Sequence, residues 1–408
     1  MKLLLFVFLF TSQIFSQWVQ TNLGDAQFGY NLYSTDTEIF AATLNGVYST
    51  TEIGNPWFSL GLTNRLVFDV IKSNQYILAA TENTGPGVYR SSDHGSTWIE
   101  TSGMADQSVR SFTKNSLYIF ACTWGGGVFR SNDDGGTWQS LGLNNNGFRS
   151  IYAAGETIFV GGEKIYFSTN NGDTWESRQL PYPAGDTWCF YYDNGILYAG
   201  DMGLYYSTDL GNTWQLKYGV SFDNQGNAID SKIFKDIVSY NNALIASVAF
   251  NSILISYDGG NSWSSFNDGL ISDWTFSALV IKEPYIWALT GGFGNAYIQP
   301  LTNITNIEDE NITAPNDYYL FQNFPNPFNP STAIKYGLPE SSYIKIEVFN
   351  MIGQSVGVLI NTEKSAGFYQ TTWDASNLPS GIYLIRIEAI KLGSKEHYTQ
   401  FIKSLLLK

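Results

Sequence analysis

Six tryptophans close six similar short segments, and their spacing limits what this chain can fold into. The segments read STTEIGNPW, SSDHGSTW, SNDDGGTW, STNNGDTW, STDLGNTW and SYDGGNSW, ending at Trp57, Trp98, Trp138, Trp175, Trp214 and Trp263. Successive tryptophans are 41, 40, 37, 39 and 49 residues apart. A fixed period near forty residues marks a repeat architecture with one supersecondary unit per period.

Residues 109–142 show that unit. VRSFTK alternates, LYIFACT is apolar, GVFRS follows, then the SNDDGGTW turn, then WQSLG. Four short strands joined by tight turns, repeated at this length, imply a β-propeller. Aromatic residues make up 16% of the chain and charged residues 14%, a balance that suits packed strands and not disorder. The six tryptophans start six outer strands. QWVQTNLG at 17–24 matches WQSLGL and supplies a seventh, while the last repeat, 275–300, has three strands and no box. The expectation is an all-β chain with seven blades over 17–300, the ring closed by its N-terminal strand; six blades is the alternative if 17–24 is only a tail.

The first residues, MKLLLFVFLFTSQIFSQ, combine a lysine with a short apolar run and small polar residues, the pattern of a secretory signal over 1–16. No later segment approaches twenty apolar residues, so no transmembrane segment is expected. The formal charge of −14 repels phosphate backbones and argues against nucleic-acid partners. Cys122 and Cys189 fall two repeats apart and are expected to be buried free thiols.

The pattern S-x-D-x-G-x-T-W resembles the Asp-box of BNR-type propellers, a group that includes sialidases, sortilin-like receptors, xyloglucan hydrolases and a photosystem assembly factor. The resemblance implies the fold and leaves the chemistry open, because enzymes and binders share it. At the third box position stand Asp93, Asp133, Asn170, Asp209 and Asp258. A carboxylate or amide there can bond the chain two residues on, and glycine at the fifth position takes positive φ without a Cβ clash. Asn170 keeps the acceptor and drops the charge, which a turn tolerates better than a calcium site does. The boxes are therefore expected to be structural turns, with no metal. The longer loop 221–232 holds Asp223, Asn224, Asn227 and Asp230, a conceivable calcium set, though a solvated loop is the expectation.

Residues 301–318 are polar and acidic and read as a linker. From 319 to 408 come three Asn-Pro pairs and then alternating strands such as YIKIEVFN and GIYLIRIEA, a pattern for a small Ig-like sandwich. The stretches NFPNPFNPST (323–332), VFNMIGQSV (348–356), LPSGIYLIRI (378–387) and KSLLLK (403–408) resemble the C-terminal sorting domain of type IX secretion cargo. That resemblance implies export through the periplasm, by the type IX machinery, to the medium or the outer-membrane surface.

Chemistry has few candidates. The two histidines, His94 and His397, lie in a box and in the C-terminal segment, which leaves no Ser-His-Asp triad or histidine zinc site. No cofactor motif is present. Aligning the repeats on their second strands puts Tyr30, Phe68, Arg110, Arg149, Trp188, Lys235 and Trp274 at one position, on the face opposite the boxes. For Trp274 the alignment requires a following hairpin two residues longer. Arg65, Trp124 and Tyr182 stand nearby in sequence. Sugars stack on exposed aromatic faces and arginine grips carboxylates, so this ring is a candidate ligand mouth for a glycan or peptide. A sialidase-like glycosidase is the enzymatic alternative, with Arg65, Arg110 and Arg149 as a cluster and Asp186, Asp201 and Asp273 in mouth-facing loops; the R-I-P motif of that family is absent. A purely structural surface module is the third reading.

Overall fold

The computed structural model describes residues 17–407 except 27, 52–55, 83–84, 145, 182–184, 224, 226–227, 251, 271–274, 293–294, 305–317, 321–322, 324–325, 327 and 395–396. The signal over 1–16, Tyr182, Asn224, Asn227, Asp273, Trp274 and most of the linker lie outside the described residues.

Among the described residues, seven four-stranded antiparallel sheets occupy 19–300. Sheet 3 is typical: Val109–Lys114, Ile119–Thr123, Val128–Ser131 and Gln139–Ser140. Sheets 1 and 2 begin at Gly29 and Val67, and sheets 4, 5 and 6 at Ser150, Cys189 and Phe234. Sheet 7 takes three strands from 276–300 and its fourth from Val19–Asn22, which pairs antiparallel with Asn295–Pro300. The first strand of each sheet packs on the first strand of the next, and that of sheet 7 packs on sheet 1, so the first strands form a closed cycle.

The second strands explain their own apolar runs. IFAAT, ILAAT and IFACT are buried at every position, because a sheet covers each face. The N-terminal strand is fixed by Trp18, which is buried and donates its indole N–H to the Phe266 carbonyl at 2.8 Å. Leu23 and Ala26 fill the core between sheets 7 and 1.

The boxes sit between third and fourth strands. In the five boxes from 91 onward, the fourth and fifth residues both have positive φ, as in Asp134 (54°) and Gly135 (76°), so the turn is left-handed at two successive positions. The side chain at the third position reaches four residues on, not two. Asp133 accepts the Thr137 N–H on Oδ1 at 2.9 Å and its hydroxyl on Oδ2 at 2.9 Å, while Ser131 donates to Oδ1 at 2.7 Å. Asp93, Asp209 and Asp258 repeat this pattern. Asn170 accepts the Thr174 N–H and donates its own amide to the Thr174 hydroxyl, which is why the uncharged residue fits. The fifth glycine also lets the turn touch the preceding sheet: a Cβ on Gly135 would meet Leu78 at 2.1 Å.

Residues 220–231 form a hairpin, Val220–Phe222 with Ala228–Ser231, whose Asp223 caps the Gln225 N–H. Cys122 and Cys189 are buried free thiols, and burial pushes both well above the ordinary thiol range. Leu301–Asn303 is a short 3-10 turn, and Leu301 and Ile304 are buried against the last two sheets, so the first residues assigned to the linker belong to the core.

The C-terminal segment has a three-stranded sheet, Tyr319–Leu320, Ser331–Leu338 and Gly367–Asp374. Its partner has four strands, in the order Ser355–Lys364, Ser342–Asn350, Gly381–Lys391, His397–Leu406. Both contribute to one core that includes Phe328, Ile334, Tyr336, Ile346, Trp373, Tyr383 and Ile385. The Asn-Pro run protects the edge of the last strand. Asn326 bonds the Lys403 carbonyl and accepts the Leu405 N–H, and Phe328 exchanges backbone bonds with Leu405 and Leu407.

Candidate functional site

Six residues of the predicted ring, Tyr30, Phe68, Arg110, Arg149, Trp188 and Lys235, line one cavity of about 540 Å³ at the start of the first strands. A backbone irregularity aims several of them. In sheets 1, 2, 3, 6 and 7 the pairing skips one residue after the first: Tyr30, Phe68, Arg110, Lys235 and Ser277. Such bulges re-aim a side chain at a strand end.

The equivalent position in sheet 7 is Ser277, which lines the cavity; Trp274 lies outside the described residues. The reason is the constancy of the first hairpin. Position 30 precedes 38 by eight residues, as 110 precedes 118 and 277 precedes 285, so no longer hairpin exists in sheet 7.

The cavity side chains alternate between rings and cations. Tyr30 meets Phe68 edge-on, with centroids 5.3 Å apart. The Arg110 guanidinium lies 3.9 Å from the Phe68 ring and 5.6 Å from Trp124. Arg149 lies between Trp124 at 4.7 Å and Trp188 at 4.2 Å, and Lys235 stands over the Trp188 ring. Phe68 and Trp188 thus have the protein's own cations over their rings, while Trp124 stays 44% exposed. Trp124 also rests against Gly147, where a Cβ would come within 3.1 Å of three ring atoms. Arg65 is not at the cavity; it lies over the Tyr89 ring.

The charges are unequally compensated. Arg149 donates from Nε to Asp186 at 2.6 Å. Arg110 has no hydrogen bond or ion pair among the described residues, and its Nε is buried without a partner. Lys235 likewise forms no ion pair among them, although Asp186 lies near enough to favour its charge. Burial, reinforced by Arg149, lowers Arg110 from its ordinary value and pushes Lys235 down to about 8.

Two acids at the floor have structural work. Asp69 accepts the Asn31 amide and the Val70 and Phe112 N–H groups, each at 2.7 Å, so it ties sheets 1, 2 and 3. Asp236 accepts the Ile237 and Leu279 N–H groups and ties sheet 6 to sheet 7. Burial pushes Asp69 up to about 6 and Asp236 up to about 7, and the Asp69 charge adds to the rise in Asp236. Asp201 is buried and accepts the Gly185 and Met202 N–H groups. The sequence alone did not single out Asp69 or Asp236, although each directly follows a ring residue.

A second cavity, of about 340 Å³, adjoins the first and is lined by Trp124, Asn146, Glu163, Lys164, Tyr166 and Asp186 among others. Apolar side chains stand exposed on connections at the same end of the sheets. The Phe28 carbonyl accepts the Leu44 N–H, Trp124 bonds Ser108, Met202 follows Asp201, whose carbonyl accepts the Phe234 N–H, and Phe250 follows Ala249, which bonds Ile233.

Residues 322–402 match the model of the secretion system C-terminal sorting domain. The chain thus carries a type IX sorting tail and is exported through the periplasm to the cell surface or the medium. No helix among the described residues is long and apolar enough to cross a membrane. No curated protein matches the chain. Among solved structures it is similar to PorZ, a surface component of the type IX secretion system of Porphyromonas gingivalis, at 14% identity and a TM-score of 0.53. That match covers 95% of this chain, which spans 60% of the length of PorZ. It is also similar to YCF48 bound to a D1 peptide, at 15% identity and a TM-score of 0.55 over 70% of this chain and 97% of the other. The WD40 repeats of RRP9 match at 10% identity and a TM-score of 0.57, over 70% and 98%. These likenesses give residues 17–300 a propeller-like fold.

Proposed function

We propose that the protein is an exported, non-catalytic Asp-box β-propeller of seven blades that binds an extracellular glycan or peptide at its channel mouth, joined to an Ig-like sorting domain. The observation that carries this reading is the single cavity in which six equivalent positions converge and in which Arg110 and Lys235 form no ion pair among the described residues. A half-buried charge left without a counter-charge costs folding energy, and such a cost persists where a ligand supplies the missing charge. The peptide-bound state of the similar YCF48 structure supports a binding role for a propeller of this size.

The glycosidase reading has less support. Asp186 is engaged by Arg149 and Asp201 by backbone amides. Burial raises the Tyr30 hydroxyl above its ordinary value, against the activation a nucleophile needs. The test is a glycan and peptide array probed with the mature chain, then with Arg149→Ala and Trp188→Ala together. Binding that disappears in the variant, with melting unchanged, supports the mouth. Turnover of a glycoside that vanishes on changing one mouth carboxylate would overturn the non-catalytic role.

A further inference from the structure

Resting on that binding role, we infer that the mouth selects its ligand by negative charge and not by ring stacking, and that it takes an acidic stretch of polypeptide flanked by apolar side chains.

Three observations lead there. First, the rings at the floor are already occupied. Phe68 carries Arg110 and Trp188 carries Arg149 and Lys235, while Trp124, at the edge, has both guanidiniums near its ring and Gly147 beside it. A sugar stacking on Phe68 or Trp188 would compete with the cation already over that ring. The aromatic side chains are better understood as braces that hold long, flexible cations in fixed positions, which lowers the ordering cost when an anion binds.

Second, the site holds more positive charge than it neutralises. Arg110, Arg149 and Lys235 line one cavity with Asp236, which burial pushes up to about 7 and backbone amides engage. Glu82 and Asp186 lie near Arg110 and Lys235 without pairing with them, and the one salt bridge uses only the Nε edge of Arg149. The terminal nitrogens of both arginines are left to donate in pairs, the geometry that suits carboxylates. This concentration of cations lies in a chain of formal charge −14, so a general attraction to anions does not account for it.

Third, the entrance is apolar. Phe28, Trp124, Met202 and Phe250 are exposed on connections of sheets 1, 3, 5 and 6 at this end, Phe250 at 83%. The Phe28 ring stands 3.8 Å from a Cβ built on Gly292, and Met202 stands 3.5 Å from one on Gly185, so these side chains lean over the loops that edge the floor. An apolar rim above a cationic floor complements acidic groups alternating with aliphatic ones, as in a polypeptide, better than it complements the hydroxyl-covered edge of an acidic glycan.

The test titrates the mature chain with four probes and follows tryptophan fluorescence. They are a capped peptide alternating glutamate and leucine, its glutamine counterpart, a uronic-acid oligosaccharide and a neutral oligosaccharide. The expected result is binding of the glutamate peptide, at least about tenfold weaker binding of the glutamine peptide, and weakening as salt rises from about 50 to 500 mM. Arg110→Gln and Lys235→Gln should each cost about tenfold in affinity. Trp124→Leu should weaken binding although it removes no charge, and Trp124→Phe should restore it. Phe250→Ser, at an exposed position where folding is not at stake, should weaken the leucine-bearing peptide several-fold. Binding of the uronic-acid oligosaccharide without the peptide would overturn the polypeptide occupant. Binding of the neutral sugar, lost on Trp188→Ala, would overturn charge selection and leave the mouth as a binding site. If none of the four binds while an array ligand does, and that ligand is indifferent to Arg149→Ala, both this inference and the placement of the site fail.

Discussion

The two ends of the same seven sheets follow opposite rules. At the box end the third-position side chains are satisfied locally: the Asp133 carboxylate is bound by Ser131, Gly136 and Thr137, all within five residues, and the neighbouring sheet adds Arg90, which donates to the Asp133 carbonyl. At the mouth end, Arg110 and Lys235 form no ion pair among the described residues and lie against rings instead. Local hydrogen bonds stabilise a fold and ask nothing of a partner. Positioned but uncompensated charge does the reverse, since it costs stability and favours a ligand. Under the proposed binding role, the repeated motif that makes this chain easy to read marks the end that does not bind.

Export gives the largest expected effect and separates both ends from the tail. Deleting 322–408 in a host with type IX machinery should strand the protein in the periplasm, seen by cell fractionation. Folded variants of either end should still reach the surface or the medium. Next in size is ring closure. Trp18→Ala should cost roughly 3–5 kcal/mol, read by denaturant unfolding, and removing 17–24 should lower the melting temperature further and promote aggregation. An unchanged melt would contradict closure by the N-terminal strand and leave both ends without a common frame.

Within that frame the box end should behave as structure alone. Asp133→Ala should cost about 1–2 kcal/mol through the lost turn bonds. The pH dependence should show both ends at once. Thr97, through its hydroxyl and N–H, holds Asp93 down at about 2. Its folded value lies below the unfolded value, so its stabilisation is present above about pH 4 and is lost as pH falls toward 2. Asp69 and Asp236 at the floor are raised, to about 6 and about 7. They bind protons more tightly when folded, so stability falls as pH rises from about 4 to 7. Melting should peak near pH 4–5, read by calorimetry. Asp93→Asn should flatten the acid limb and Asp236→Asn the neutral limb.

Much of this was legible because the repeat is regular. The box glycines, the buried second strands and the closing N-terminal strand follow from a period near forty residues and one unmatched strand at each end. Six of the aligned residues line one cavity, since the eight-residue spacing before each second strand is constant; the alignment that reached Trp274 required a hairpin two residues longer, whereas the bulge of sheet 7 falls at Ser277. What the ring residues do to one another was not legible. Pairing across sheets, such as Arg149 between Trp124 and Trp188, depends on which residues the bulges turn inward, and no spacing within one repeat encodes it. Asp69 and Asp236 were missed for the same reason: their partners, Phe112 and Leu279, lie in the next sheet, 43 residues away in each case. Strand Ser331–Leu338 was hidden by the Asn-Pro run before it.

The division between the two ends can be tested in one paired measurement. Affinity for the glutamate–leucine peptide and unfolding free energy would be measured together for the native chain, for Asp133→Ala, and for Arg149→Ala combined with Trp188→Ala. We expect Asp133→Ala to lose about 1–2 kcal/mol of stability with unchanged affinity. The mouth variant should lose binding with little change in stability. Equal loss of affinity in both variants, with both folded, would contradict the assignment of structure to one end and recognition to the other.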